Sequence, residues 1–128
     1  MIVNETKKIL DSIDLSDLGL SKENIFAYHL PLNYKADKTF LLITEIYSAR
    51  GQAGSNRTNA KIEEIELTIV YDDDTQPEQL DDKINELLEN NQYAQLSGYH
   101  QYDTEVDNLR AVFKYQHTKY LNLEKDDE

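Results

Sequence analysis

The sequence predicts an α+β fold: a mostly antiparallel or mixed β-sheet with two helices packed on it, in the order α-β-β-β-α-β-β. Two observations predict it. Apolar residues recur at helical spacing in two stretches, at the N-terminus and after Pro77, and approach period two in five others. The strand-like stretches come in a run of three and a run of two, separated by short polar turns. Strict strand–helix alternation, the mark of a parallel α/β sheet, is absent. The 128 residues are enough for one domain with one hydrophobic core.

Met1–Asp14 is expected to be an amphipathic helix, with Thr6, Ile9, Leu10 and Ile13 on one face and Asn4 as its N-cap. Leu15, Leu18 and Leu20 continue the apolar pattern until Gly19 and Ser21 interrupt it, so residues 1–23 make a helix and linker. The period then becomes two. Phe26, Tyr28, Leu30 and Leu32 alternate with Ile25, Ala27, His29 and Pro31, and Pro31 places this strand at a sheet edge or strand end.

Thr39–Ala49 is apolar on both faces except at Glu45, as in a strand near the middle of a sheet; a charge buried there needs a partner. Ala49–Lys61 contains two of the four glycines, three positive charges and no negative one, and predicts a mobile basic loop. Ile62–Tyr71 resumes strand chemistry, with Ile65, Leu67, Ile69 and Tyr71 on one face and Glu64, Glu66, Thr68 and Val70 on the other. These two strands form a long hairpin.

Asp72, Asp73 and Asp74 end that strand, and Thr75-Gln76-Pro77-Glu78 matches a capping box. Leu80, Ile84, Leu87 and Leu88 form the apolar stripe of a second helix, which Asn90 and Asn91 terminate. Leu96–Tyr102 and Leu109–Leu121 are the last two strands, around a turn at Asp103–Asn108. Residues 122–128 form a charged tail expected to fray.

Composition narrows the function. The formal net charge of −12 repels phosphate and anionic lipid, which disfavours general nucleic-acid binding and membrane-surface association. Zero cysteines exclude disulfides and thiolate metal sites. There is no secretory signal pattern and no apolar run of spanning length, so neither export by signal peptide nor membrane insertion is expected.

No residue set argues for catalysis, a metal or a cofactor. The three histidines are scattered. His100, Asp103 and Glu105 come nearest to a metal cluster but lack a second histidine. Asp72–Asp74 lacks the spacing and glycine of a calcium loop, and its acids suit the positive end of the following helix. Glu63, Glu64 and Glu66 lack a pocket that would separate their pKa values.

The basic loop is the most informative segment. Arg50, Arg57 and Lys61, with Asn56 and Asn59 for hydrogen bonding, form a cationic patch in an acidic chain. The loop lacks phosphate-loop spacing and enters a strand rather than a helix. It is read as a docking arm for an acidic surface such as another copy of the chain, with Asp72, Asp73, Asp74, Glu64 and Glu66 as its counterpart. Nine tyrosines against three phenylalanines suit surfaces that a partner half-buries.

The series TFLLITEI, the Gly/Asn-rich basic loop, KIEEIELTIVYDDD, PEQLDDKINELLENN and GYHQYDTEVDNLRAVFKYQHTKYL resembles the tail terminators, or tail-to-head joining proteins, of long-tailed phages and prophages of Gram-positive bacteria. The resemblance covers Asn24–Leu121 and rests on element order and texture. It implies a non-enzymatic virion protein, assembled in the host cytoplasm, whose homohexameric ring caps the tail tube and stops its polymerisation. It also implies a tail tube protein and a head-completion or connector protein as partners, with DNA passing through unbound. The long loop would reach a neighbour through Arg50, Arg57 and Lys61. Two other functions fit the composition: a neck or head-completion protein one ring further along, and an acidic monomeric module that mimics DNA.

Overall fold

A computed structural model describes residues 1–52, 58–104 and 107–120. Its elements follow the expected order: α1 (Ile2–Asp11), β1 (Ile25–Ala27), β2 (Phe40–Gln52), β3 (Thr58–Val70), α2 (Pro77–Glu89), β4 (Tyr93–Asp103) and β5 (Asn108–Tyr120). Two single-turn 3-10 helices, Ser16–Leu18 and Lys22–Asn24, lie between α1 and β1. The strands form one sheet in the order β1-β2-β3-β5-β4. Only β1–β2 is parallel; β2–β3, β3–β5 and β4–β5 are antiparallel. The fold is α+β, as predicted.

Both helices pack on the same face of the sheet. Leu41 and Ile43 of β2, Ile65, Leu67 and Ile69 of β3, and Ala111, Phe113 and Tyr115 of β5 meet Ile2, Val3 and Leu10 of α1 and Leu80, Ile84 and Leu88 of α2 in one buried cluster. The period-two pattern of β3 and the 3.6 pattern of α2 therefore point at each other, which gives the core its two layers.

Several boundaries differ from expectation. The first strand is three residues long, and its core-facing residue is Ile25 rather than the Phe26 set. Tyr28 takes a positive φ of 73° and turns the chain off the sheet, so Leu30, Pro31 and Leu32 are not strand residues. Tyr34 then folds back edge-on against Phe26 and Phe40, at centroid distances of 4.9 and 5.5 Å. Glu45 is exposed: α1 and β1 stop short of it, and the ladder is irregular between Glu45 and Tyr47. The capping box does not form, because Thr75 is buried in other hydrogen bonds and Gln76 is the N-cap. Likewise Met1, not Asn4, precedes the first helical residue.

The basic loop is shorter than 49–61. Ladder pairing needs only backbone groups, so β2 and β3 continue through Arg50↔Lys61 and Gly51↔Ala60 to Gln52↔Thr58. Arg57 and Asn56 at its tip, and the tail 122–128, lie outside the described residues.

Candidate functional site

The long hairpin sets the geometry of the two charged patches. Arg50 and Lys61 pair near one end of the β2–β3 ribbon, and Asp72–Asp74 follow β3 at the other. Eleven residues of extended chain separate Lys61 from Asp72, about 36 Å at roughly 3.3 Å per residue. The Arg50↔Lys61 end of the ribbon and Asp73–Asp74 are therefore too far apart to neutralise each other; Lys61 instead meets Glu63 of its own strand, 3.7 Å away.

The three aspartates are not equivalent. Asp72 is structural: its carboxylate accepts hydrogen bonds from Thr75 Oγ1 (2.8 Å), Asp74 N–H (3.1 Å) and Thr39 N–H (3.3 Å). Its own N–H donates to Thr39 Oγ1 (2.9 Å), and the two threonine hydroxyls are 2.6 Å apart. Burial opposes the charged carboxylate, but the bonds from Thr75, Thr39 and Asp74 outweigh it and hold Asp72 below its ordinary value. Asp73 and Asp74 are exposed and free to meet a partner.

Glu64 and Glu66 lie on the sheet face opposite the helices, across from Gln116 and Lys114 of β5. Among the described residues no helix covers this face. Cross-strand rows place Leu42, Thr68, Val112 and Tyr99 together, and Tyr47, Glu64, Gln116 and Ala94 together. Tyr47 and Tyr99 are 50% and 54% exposed, so this face combines aromatic rings with charge.

No family model and no curated protein matches this chain.

Two polar clusters sit on the helix-covered face, built around His100 and Glu63, with partners other than those the sequence suggests. In the first, Asp81 of α2 receives the Tyr71 hydroxyl and lies 2.8 Å from His100 Nε2 of β4. His100 stacks on Tyr71 and meets Phe113 edge-on. Burial, with the Asp81 bond and charge, pushes the Tyr71 hydroxyl well up, and burial with the Asp81 and Glu89 charges does the same for Tyr115. Both tyrosines are thus fixed hydrogen-bond donors, Tyr115 to Asn85 Oδ1 at 2.9 Å. The signal was present in helix spacing: Asp81 lies three residues before Ile84 and seven before Leu88, on the buried stripe. Among the described residues, no group of three or more His, Cys, Asp or Glu side chains is placed to hold a metal ion.

In the second cluster, Glu63 is only 3% exposed, because strand parity puts it on the face of Ile65 and Leu67. It lies 3.7 Å from Lys61 Nζ and opposite His117 in the ladder. His117 packs on Tyr93, whose hydroxyl is 2.8 Å from Thr6 Oγ1. His117 Nδ1 is buried without a hydrogen-bond partner among the described residues. Burial lowers the His117 pKa; Glu63 and Glu5 oppose that shift, and Lys119 adds to it.

A pH dependence follows. The unfolded chain takes up a proton at His117 near pH 6.5, the folded chain only at lower pH, so folding stability falls as pH drops below about 6.5. Urea unfolding at pH 7.5 and 5.0 should show that loss in the wild type and a smaller one in His117→Gln. Equal losses in both proteins would exclude His117 as the source.

Proposed function

We propose that this chain is a structural subunit of a long-tailed phage tail, a tail terminator that forms a ring on the tail tube, halts its growth and joins it to the head. The reading rests on the resemblance and on one geometric observation: the Arg50↔Lys61 pairing and the acidic turn Asp72–Asp74 lie toward opposite ends of β3. Contacts that repeat head to tail use both patches on every copy and close into a ring when the rotation closes. A two-fold contact pairs such patches reciprocally, so the number of subunits in the assembly separates the two arrangements.

In the proposed assembly Arg50, Arg57 and Lys61, with Asn56 and Asn59 beside them, dock on Asp73 and Asp74 of the next copy. Asp72 shapes the turn that presents those acids, and Glu64 and Glu66 add charge on the sheet face between the two ends. Six copies, the number implied by the resemblance, would multiply the −12 charge and give a channel wall that DNA passes without adhering. The partners are the tail tube protein and a head connector, the location is the virion tail, and no reaction is involved.

Charge reversal tests this. Arg50→Glu with Arg57→Glu should raise the concentration needed for ring formation, seen by light scattering and negative-stain imaging, by about tenfold or more. Adding Asp73→Lys and Asp74→Lys should restore it. Rings that form unchanged in the double reversal would sink the charge-docking scheme.

A further inference from the structure

Among the described residues the sheet has two long unpaired edges. β4 is the last strand on one side, and all nine residues from Ala94 to Tyr102 are exposed. On the other side β1 covers only Leu41–Ile43 of β2. Among the described residues, the following nine positions of β2, Thr44–Gln52, have no strand on that side, and Glu45–Ser48 are exposed.

Such edges are ordinarily protected by lysines, a proline, inward charges or a short strand, because free N–H and C=O groups recruit another strand. The β4 edge has no charge or proline, though its ladder is irregular between Gln95 and Ser97; the β2 edge carries Glu45 and Arg50 and an irregularity between Glu45 and Tyr47. Ala94–Tyr102 contains no lysine, arginine, acid or proline, and Leu96, Tyr99 and Tyr102 are about half exposed. Ile46 and Tyr47 on the other edge are comparably exposed.

We infer that the sheet runs from one copy of the chain into the next, with the Ala94–Tyr102 edge of β4 pairing antiparallel with the Thr44–Gln52 edge of β2 in another copy. This deepens the ring proposed above and rests on it, since it names the surface through which the copies join.

Three features select this occupant. The two edges match in length and lie on opposite sides of one sheet, which is the arrangement a repeating head-to-tail contact requires. Strand directions also agree. β2 and β5 run one way and β3 and β4 the other, so β4 is antiparallel to the β2 of a copy in the same orientation.

Charge decides between this pairing and a two-fold β4–β4 contact. α2, which flanks β4, has five acids (Glu78, Asp81, Asp82, Glu86, Glu89) and Lys83, a net −4. α1, which flanks β1 and β2, balances Glu5 and Asp11 with Lys7 and Lys8. Pairing β4 with β2 sets an acidic helix beside a neutral one, whereas β4–β4 pairing sets two acidic helices together. The β1 strand beside Leu41–Ile43 makes the neighbour's β4 register toward the hairpin end of β2.

The chain has no cysteine, so introduced ones report only the designed contact. Tyr47, Ser97, Tyr99 and Gln101 all lie on the uncovered face. Within one chain β2 and β4 are three strand spacings apart, roughly 14 Å, beyond the Cα separation of a disulfide. Tyr47→Cys combined in turn with Ser97→Cys, Tyr99→Cys or Gln101→Cys samples three registers.

Under mild oxidation at least one pair should convert the monomer band on a non-reducing gel into a ladder ending at the subunit number of the ring. Single-cysteine variants should remain monomers. Covalent dimers from Tyr99→Cys alone would overturn the inference in favour of β4–β4 pairing. Rings visible by negative stain with no pair cross-linking would overturn it while leaving the ring reading intact. Wild-type protein that neither forms rings nor caps tail tubes, with no cysteine pair cross-linking, would overturn both.

Discussion

Replacing Asp72 by alanine should cost about 2–3 kcal/mol of folding stability, a melting-temperature drop of roughly 8–12 °C, whereas Asp73→Ala and Asp74→Ala should each stay within about 0.5 kcal/mol. Asp72 alone among the three organises the turn. Its carboxylate takes three hydrogen bonds, two of them from Thr39 and Thr75, which are buried. Without it the Thr39 N–H and the Thr75 hydroxyl lose their acceptor in a place that water reaches poorly. Urea unfolding of the three variants measures the difference, and equal losses would show that the turn does not depend on Asp72. The pH sign is also set. The Asp72 pKa is depressed in the folded chain, so its contribution is present above the ordinary aspartate range near pH 4 and is lost as pH falls through the lower folded value. Asp72→Asn should flatten that part of the acid-unfolding profile.

Gly19→Ala is expected to cost about 2–4 kcal/mol, from two causes that act together. Gly19 closes the first 3-10 turn at φ 100°, a conformation that L-residues adopt only under strain. A Cβ there would also overlap Thr75 Oγ1 and lie 3.0 Å from Thr75 Cβ, so Thr75 would be pushed off Asp72 and Thr39. Because the damage passes through Thr75, Gly19→Ala and Thr75→Ala should combine with less than the sum of their losses. A double-mutant cycle should give a coupling of about 1 kcal/mol or more. Strict additivity would mean that backbone strain alone sets the cost. Gly98→Ala probes a second close approach, since a Cβ there would run into the Phe113 ring and lie 2.7 Å from the Gln95 amide nitrogen.

These two variants bear on assembly as well as on folding. The Thr39–Asp72–Thr75 network ties the start of β2 to the entry of α2 and holds Asp73 and Asp74 outward. A loss of ring formation in Asp72→Ala that follows its loss of stability is a folding effect. Losses in Asp73 and Asp74 charge reversals, at unchanged stability, belong to docking.

Much of the fold was legible because its signals are local. The run Ile65, Leu67, Ile69 and Tyr71 and the stripe Leu80, Ile84 and Leu88 are strong periodic patterns, and both elements formed with those residues inside. Errors arose where a local pattern competed with a distant partner. Thr75 looked like a helix cap, yet Thr39 and Asp72 claim its hydroxyl from the end of the preceding strand and the start of β2. Glu45 looked buried because its strand neighbours are apolar, but burial depends on whether a helix lies above that part of β2. Parity already sets Glu63 on the other face from Glu64 and Glu66; only the tertiary structure shows it buried, beside His117 in the ladder.

The sequence by itself determined the class of fold, the order of its elements, the β2–β3 hairpin and the acidic turn, because periodicity and charge runs are written within a dozen residues. Tertiary structure alone decided the strand order β1-β2-β3-β5-β4, the exposure of one sheet face, the two unpaired edges and the division of labour among the aspartates. Each of those depends on which segments, far apart in the chain, share a hydrogen-bond ladder or a layer of core, and no local pattern specifies that choice.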